Sequence, residues 1–234
     1  LSMSVYANMD VSVIDELPPG RKPIQTSCLP LSGKEKLIER ISAAIKKDSK
    51  VYWICPLIEE SENLDLNAVI ETHEDLSEHF GQDKVGCLHG KLSALKKQDQ
   101  IQAFKDSKTS ILVSTTVVEV GVDIPDADIM IIENAERFGL AQLHQLRGRI
   151  GRGTKESFCI LLHKDKIQDV SSQRLQVLVD SQDGFKIAEE DLVIRGPGEI
   201  MGEQQTGIVP MKYTNLVRDS QYLMETKKVA ESIC

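Results

Sequence analysis

Aromatic residues are scarce in this chain, at 4% of its 234 residues. A protein that holds single-stranded nucleic acid by stacking presents successive aromatic rings, so this composition argues against that class. The net charge of −8 at pH 7 likewise argues against a nucleic-acid coat protein. Local basic patches are still allowed, because binding depends on the electrostatic field at the site and not on the whole surface.

The chain also lacks the usual signatures of metal, disulfide and membrane proteins. Its five cysteines are widely scattered and include no Cys-x-x-Cys pair, so neither a metal site nor a redox pair is predicted. We expect reduced thiols in the core of a cytoplasmic protein. The sequence contains no secretory signal peptide and no apolar run of about 18 residues, so it predicts no membrane span.

A third absence concerns nucleotide binding. The phosphate-loop pattern Gly-x-x-x-x-Gly-Lys-Ser/Thr occurs nowhere, and the segment Gly86–Leu92 is one residue short of it and lacks the hydroxyl. The run ending at Asp15-Glu16 imitates a strand with a magnesium-binding carboxylate, but Pro18 ends it at once, which favours a linker. By itself the chain therefore cannot hold Mg-ATP as a P-loop enzyme does.

The most distinctive feature that is present is the arginine segment, residues 145–153, with the sequence Gln-Leu-Arg-Gly-Arg-Ile-Gly-Arg-Gly. Its arginines, Arg147, Arg149 and Arg152, carry rigid forks of donors that match phosphate oxygens. The interspersed glycines allow positive φ, so tight turns can aim each arginine. We predict that the segment binds the terminal phosphate of a nucleotide held by another lobe. The alternative is a solvated basic loop.

Hydrophobic periodicity predicts alternating strands and helices over the first two thirds of the chain. Continuous apolar strands with short loops are typical of an α/β domain whose mainly parallel sheet is covered by helices on both faces. Residues 59–67 are polar and acidic and predict a surface loop. The predicted strands are 24–29, 51–56, 84–88, 110–114, 128–133 and 157–162, and the predicted helices are 34–47, 69–80, 93–104 and 140–148.

Ligands of such sheets bind at the carboxyl ends of the strands. Three polar loops follow strands there: His89-Gly90, Thr115-Thr116, and residues 133–139, which lead into the arginine segment. Hydroxyls and backbone amides at a strand end can hold phosphates. Gly121 permits close approach of a ligand, and Asp123 can pair with an arginine. A simple cap at the strand end is the alternative for these hydroxyls.

After residue 168 the alternation stops and the pattern becomes helical. Helices are predicted at 168–181 and, more briefly, at 187–194, and a last helix at 214–232. Between them, Arg195-Gly-Pro-Gly-Glu199 predicts a break in regular structure, and a loop continues through residues 202–207.

In this order and spacing, the loops at His89, Ser114-Thr115 and Gly121-x-Asp123, followed by the arginine segment, resemble the second RecA-like lobe of superfamily 2 helicases. The resemblance implies that Arg149 and Arg152 face the ATP γ-phosphate across a lobe interface. It also implies that Gln145 and Asp123 couple the nucleotide state to lobe closure. Thr115, Thr116 and the His89-Gly90 turn would contact the nucleic-acid backbone.

The later part of the chain resembles the translocation segment shared by RecG and the transcription-repair coupling factor Mfd. The resemblance is carried by Gln173-Arg-Leu, Asp183-Gly-Phe, Arg195-Gly-Pro-Gly-Glu199 and Gln205-Thr-Gly207, and the wording is closer to RecG. It implies that Arg174 and Gln205 couple ATP hydrolysis to movement on duplex DNA, with Arg195 on the same DNA path. The alternative for Arg174 is a purely structural role in helix packing.

The resemblance implies three regions: a linker (1–23), the second RecA-like lobe (24–167), and a helical hairpin with a loop and a last helix (168–234). ATP and Mg would be held mainly by a first motor lobe that this chain lacks, and an upstream wedge would meet branched or double-stranded DNA. We expect part of an ATP-dependent helicase that is inactive alone, with residues 150–154 exposed and mobile or holding an anion. An Mfd-like lobe and a catalytically dead binding module are the alternatives.

Overall fold

A computed structural model describes residues 22–56, 62–115, 127–151, 153 and 155–200, and for residues 62–65 and 195–200 it describes the backbone. Strands and helices alternate through most of this part of the chain. The strands are β1 (Ile24–Pro30), β2 (Val51–Cys55), β3 (Val85–Leu88), β4 (Ile111–Thr115), β5 (Ile129–Ile132) and β6 (Ser157–His163). The helices are α1 (Lys34–Ile45), α2 (Glu62–Phe80), α3 (Ala94–Lys105), α4 (Leu140–Arg147), α5 (Asp169–Asp180) and α6 (Gly184–Ile200).

The strands form one sheet in the order β1-β6-β5-β2-β4-β3, and every pairing is parallel. All five residues of the central strand β2 are buried. Val51, Trp53 and Cys55 pack on one face of the sheet, and Tyr52 and Ile54 pack on the other. An apolar strand buried on both faces is what a parallel sheet between helix layers requires. The predicted fold class is therefore confirmed.

Helices cover both faces of the sheet. On the first face, α1 and α2 contribute Leu37, Ile41, Val69 and Leu76 to the core. On the second face, α3, α4, α5 and the first turn of α6 contribute their apolar side chains, namely Phe104, Leu143, Leu175 and Ile187. Each helix thus buries one apolar stripe, as the sequence period predicts.

Two of the predicted helix boundaries are confirmed by their capping. The Ser93 hydroxyl accepts a hydrogen bond from the amide of Lys96 at the start of α3, at 3.4 Å. Gly81 ends α2 with a φ of 96°, a conformation that side chains rarely adopt.

Two other predictions were wrong. Residues 62–67 belong to α2 and not to a surface loop. Acidic residues such as Glu62 and Asp65 are favourable at the positive end of a helix, so their charge did not exclude one. The second correction is that α6 runs through Pro197 to Ile200 instead of ending at Ile194. A proline removes one intrahelical hydrogen bond, and the rest of the helix continues around this local loss.

Residues Pro19–Ile194 form one compact unit, and a second unit comprises Leu1–Pro18 and Arg195–Cys234. The structure describes only the backbone of residues 195–200 in that second unit, at the end of α6. The predicted linker up to residue 21, the loop at 202–207 and the last helix at 214–232 lie outside the described residues, so the three-region division stays a prediction. Among the described helices, none is long and apolar enough to cross a membrane.

Candidate functional site

Polar side chains line the carboxyl edge of the sheet. His89 follows β3, Thr115 ends β4, and Glu133 follows β5. The register pairs Leu88 with Ser114 and Thr115 with Cys55, and the amide of Glu133 donates to the carbonyl of Ile54 at 2.8 Å. The predicted convergence of these loops at one edge is therefore confirmed. We call His89, Thr115 and Glu133 the carboxyl-edge row.

Two members of this row hold buried polar atoms that have no hydrogen-bond partner among the residues that the structure describes. Thr115 is 2% exposed, and its Oγ1 has no partner, although the Ser114 hydroxyl donates to the Thr115 carbonyl at 2.8 Å. The Nδ1 atom of His89, which follows the adjacent strand β3, is also buried without a partner among the described residues. Burial, followed by the nearby Lys97 and Lys91 ammonium groups, lowers the pKa of His89 below its ordinary value, which keeps the ring neutral at pH 7. Unsatisfied groups of this kind are costly, and a hydrogen bond from a bound molecule would offset that cost.

Glu133, the third member of the row, is fully engaged. Its Oε1 lies 3.0 Å from the Lys34 Nζ, and its Oε2 accepts from the Trp53 indole at 2.8 Å. The Lys34 ammonium also sits 5.4 Å from the centroid of the Trp53 ring. The sequence pattern did not predict this cluster of Lys34, Trp53 and Glu133. A tryptophan in a buried strand could have signalled it, because a buried indole N–H needs an acceptor.

The arginine segment lies at the opposite, amino edge of the sheet. Helix α4 carries the chain away from the carboxyl edge and ends at Arg147. A Cβ built on Gly151 would meet Ile24 Cγ1 at 3.0 Å and the Cβ of Ser157 at 3.7 Å, and these are the first residues of β1 and β6. The loop at residues 133–139 is at the carboxyl edge as predicted, but the arginines are one helix away from it. The sheet therefore presents two separate candidate sites.

Arg147 is not available to an anion outside the fold. It is 3% exposed, and its Nη1 donates to the carbonyls of Leu178 and Ser181 at 2.6 and 2.8 Å. Its Nη2 lies 3.2 Å from His144 Nδ1. The three arginines are thus not equivalent, which corrects the prediction that treated them as one anion-binding cluster. Gln145 is exposed and Arg149 is half-buried.

The glycines of the segment also differ from each other. Gly151 has a φ of 75°, whereas Gly148 caps α4 in ordinary helical geometry with a φ of −64°. Ile150 and Gly151 are buried, so the predicted exposure of residues 150–154 was wrong for these two. Gly153 is exposed as expected. The physical reason is that Ile150 is apolar and the turn at Gly151 brings it into the core against the sheet.

The other predicted site residues differ in their exposure and in their hydrogen bonds. Gly90 is exposed, and a Cβ there would meet nothing within 4 Å. Arg174 donates to the carbonyl of Phe138 at 3.4 Å and to the Ser171 hydroxyl at 3.1 Å, while its Nε is buried without a partner. The side chain of Arg195, on α6, is not described. The predicted site residues that lie outside the described part of the chain are Thr116, Gly121, Asp123, Arg152 and Gln205.

The described residues offer little for metal or redox chemistry. None of their groups of histidine, cysteine, aspartate and glutamate could hold a metal ion. The described cysteines are free thiols, and burial raises the pKa of Cys55 and Cys159 to about 12. These thiols therefore stay protonated and pack as small apolar groups.

Two family models match the sequence. One, described as "Helicase conserved C-terminal domain", matches residues 33–154, more than half of the chain. The other, described as "ATP-dependent DNA helicase RecG, domain 3, C-terminal", matches residues 181–234. The two matches correspond to the two parts on which the resemblance rested.

The chain is also similar to complete RecG helicases. It is 50% identical over 224 residues to the ATP-dependent DNA helicase RecG of Pasteurella multocida. The aligned region covers 95% of this chain and 32% of that relative. It is 48% identical over 234 residues to the RecG of Escherichia coli K12, covering 100% of this chain and 34% of the relative. The chain thus spans about a third of the length of these curated relatives.

Solved structures agree with this assignment. The structure described as RecG bound to three-way DNA junction superposes with a TM-score of 0.72 at 42% identity, covering 95% of this chain and 29% of that one. Domain 2 of the DEAD-box helicase Mss116p, bound to an RNA duplex, superposes with a TM-score of 0.51 at 22% identity, covering 68% of this chain and 60% of that one, and supports the fold alone. The predicted RecA-like fold is confirmed. The chain belongs to the family of the helicase conserved C-terminal domain, and within it to RecG.

Proposed function

We propose that this chain is the second motor lobe of an ATP-driven translocase that moves on double-stranded DNA and remodels branched DNA during repair. The observation that carries the proposal is the arrangement of the arginine segment. A buried, hydrogen-bonded Arg147 anchors it, and the half-buried Arg149 follows two residues later. RecG relatives are ATP-dependent DNA helicases, and one was solved on a three-way DNA junction, which supports this class of substrate.

In this proposal the amino edge serves the nucleotide. Arg149 and Arg152 neutralise charge on the terminal phosphate, and Gln145, Gly121 and Asp123 link that contact to lobe closure. Bound ATP would supply the phosphoryl group, and Mg would neutralise the charge of its phosphates. Both would be held mainly by a first lobe, since this chain has no phosphate loop. Of these residues the structure describes Gln145, which is exposed, and Arg149, which is half-buried.

The carboxyl edge and the helical region would serve the DNA. The unpartnered Oγ1 of Thr115 and Nδ1 of His89 offer hydrogen bonds to a backbone phosphate or sugar. The open space at Gly90 allows a strand to approach the protein backbone. Thr116, Arg195, Gln205 and Arg174 would extend this path and couple it to ATP hydrolysis.

Replacement of Arg149 in the full-length protein tests the proposal. Arg149→Ala should lower DNA-stimulated ATP hydrolysis by a factor on the order of 10³, since an arginine finger contributes about 10³ to 10⁵ in phosphoryl transfer. DNA binding should stay unchanged. The measurements are steady-state ATPase rates and the Kd for a three-way junction.

The matched control is Arg40→Ala, because Arg40 is an exposed arginine on α1. It should leave both the ATPase rate and the Kd as they are. An Arg149→Ala variant that keeps its full ATPase rate would reject the nucleotide role. A wild-type protein that binds junctions and hydrolyses no ATP would favour a binding module instead.

A further inference from the structure

Strand β3 lies at one end of the sheet, and among the described strands only β4 pairs with it. The carbonyl of Lys84, just before β3, accepts from the amide of Ser110, just before β4, at 2.9 Å. Since the backbone groups of successive strand residues point alternately to the two sides, those of Val85 and Cys87 point away from β4. A groove of about 420 Å³ beside them is lined in part by Val85, Cys87 and His89. The space beside β3 therefore admits an extended segment, and an unpaired edge is a template for association between chains.

A histidine on α2 covers the first of these backbone groups. Nε2 of His73 lies 3.2 Å from the carbonyl oxygen of Val85. A carbonyl oxygen only accepts, so Nε2 carries the proton and donates it. The Ser77 hydroxyl, one turn along α2, lies 3.5 Å from the same nitrogen. The half-buried His73 ring thus occupies the place from which the amide of an added strand would donate to Val85.

A glutamine on α3 covers the second group from the opposite face of the sheet. Oε1 of Gln100 accepts a hydrogen bond from the amide of Cys87 at 3.2 Å. To reach this amide the glutamine passes over Gly86, where a Cβ would meet Oε1 at 2.8 Å and Cδ1 of Leu112 at 3.2 Å. A glycine inside a strand often marks such a close approach. A side chain at residue 86 would therefore displace Gln100 from the edge.

We propose that His73 and Gln100, which we call the edge pair, prevent β3 from pairing with β3 of a second copy of this chain. The edge pair takes up the acceptor of Val85 and the donor of Cys87, and such pairing requires both groups. A two-fold axis would set the two β3 strands antiparallel and join the two sheets edge to edge.

The sequence of β3 explains why the edge pair is needed. Native sheets commonly protect an edge strand with charged side chains or proline on the strand itself. Strand β3 reads Val-Gly-Cys-Leu and contains neither. Protection of this edge therefore comes from the helices on the two faces of the sheet, one side chain from each. The inference does not depend on nucleotide or DNA binding.

Sedimentation velocity on the full-length protein tests the proposal. In the edge-pair variant, His73→Ala/Gln100→Ala, the weight-average mass should rise about twofold between about 1 and 100 μM, a range in which unpaired strand edges associate. The matched control is His79→Ala/Gln98→Ala, which replaces the same residue types at exposed positions of the same two helices. Its mass should equal that of the wild type at every concentration. An edge-pair variant whose mass also equals the wild type throughout would overturn the proposal.

Amide hydrogen exchange shows where the copies meet. In the edge-pair variant the protection of residues 85–88 should increase with concentration. Association without this increase would place the contact elsewhere and reject the role of the edge pair. Adding Cys87→Pro removes the outward amide at a position where an edge strand tolerates proline, and should restore the wild-type mass. Association that persists with this proline would also count against pairing through β3.

A single substitution keeps the test valid if the edge-pair variant does not fold. Gln100→Ala removes the acceptor for the Cys87 amide and leaves α2 unchanged. We expect a smaller rise in mass, because His73 still covers the carbonyl of Val85. The protection of residues 85–88 should again increase with concentration. A folded Gln100→Ala variant in which neither quantity changes would overturn the proposal.

Discussion

Arg147 at the amino edge of the sheet differs from Thr115 and His89 at the carboxyl edge in how completely its polar atoms are hydrogen-bonded. At the amino edge, the buried Arg147 makes hydrogen bonds to Leu178, Ser181 and His144. At the carboxyl edge, the Oγ1 of Thr115 and the Nδ1 of His89 are buried with no partner. A buried polar group without a partner is costly, and a hydrogen bond from a ligand would relieve that cost. Positive charge alone therefore did not distinguish the buried Arg147 from the half-buried Arg149.

The largest effect on stability is expected at Arg147, whose buried guanidinium is fully hydrogen-bonded. Arg147→Met in the 234-residue chain removes the donors for the carbonyls of Leu178 and Ser181 and should cost about 3 kcal/mol, since buried partners of a charged group would be left unsatisfied. Urea unfolding followed by circular dichroism measures the change. The exposed control Arg40→Met should stay within about 0.5 kcal/mol of wild type. A loss below about 1 kcal/mol for Arg147→Met would contradict the structural role that we assign to the hydrogen bonds of Arg147.

A much smaller effect on stability is expected for Thr115→Val, because the hydroxyl that it removes has no partner. The free energy of unfolding should change by less than about 0.5 kcal/mol, and a buried unpaired hydroxyl can even be replaced with a gain. Ser114→Ala is the matched comparison, since that hydroxyl donates at 2.8 Å and its loss should cost about 1 kcal/mol.

The same substitution should affect DNA binding by the full-length protein. If Thr115 Oγ1 forms a hydrogen bond to the DNA backbone, Thr115→Val should raise the Kd for a three-way junction about fivefold. This increase corresponds to a loss of roughly 1 kcal/mol in the free energy of binding. Fluorescence anisotropy at a fixed salt concentration measures this change. An unchanged Kd would contradict the proposed hydrogen bond between Thr115 Oγ1 and DNA.

The smallest effect concerns the pH dependence of stability at His89. Its pKa is lowered in the folded state by burial and by Lys97 and Lys91. The unfolded chain therefore takes up a proton as pH falls through about 6.5, where the folded chain does not, so stability falls below that pH and is unaffected above it. His89→Gln should flatten the difference between unfolding at pH 7.5 and at pH 5.5. His79→Gln, at an exposed position of α2, serves as the control, and an equal flattening there would contradict the assignment to His89.

The sequence by itself determined the layers of this protein. Short apolar runs such as 51–55 and 111–113, bounded by loops, are typical of strands covered on both faces, and the helices between them follow from the 3.6-residue period. The order of loops and the spacing of the arginine segment were enough to identify the helicase lobe. Local capping was also readable, as at Ser93 and Gly81, because it depends on only a few neighbouring residues.

Only the tertiary structure decided which edge of the sheet each polar group occupies and which side chains are buried. Arg147 and Arg149 are identical in type and two residues apart, yet one is buried at the end of α5 and the other is half-exposed. The acceptors of Arg147 lie more than 30 residues away in sequence, at 31 and 34 positions. Burial and hydrogen bonding at such distances depend on how helices pack on the sheet, and no local pattern in the sequence records that packing.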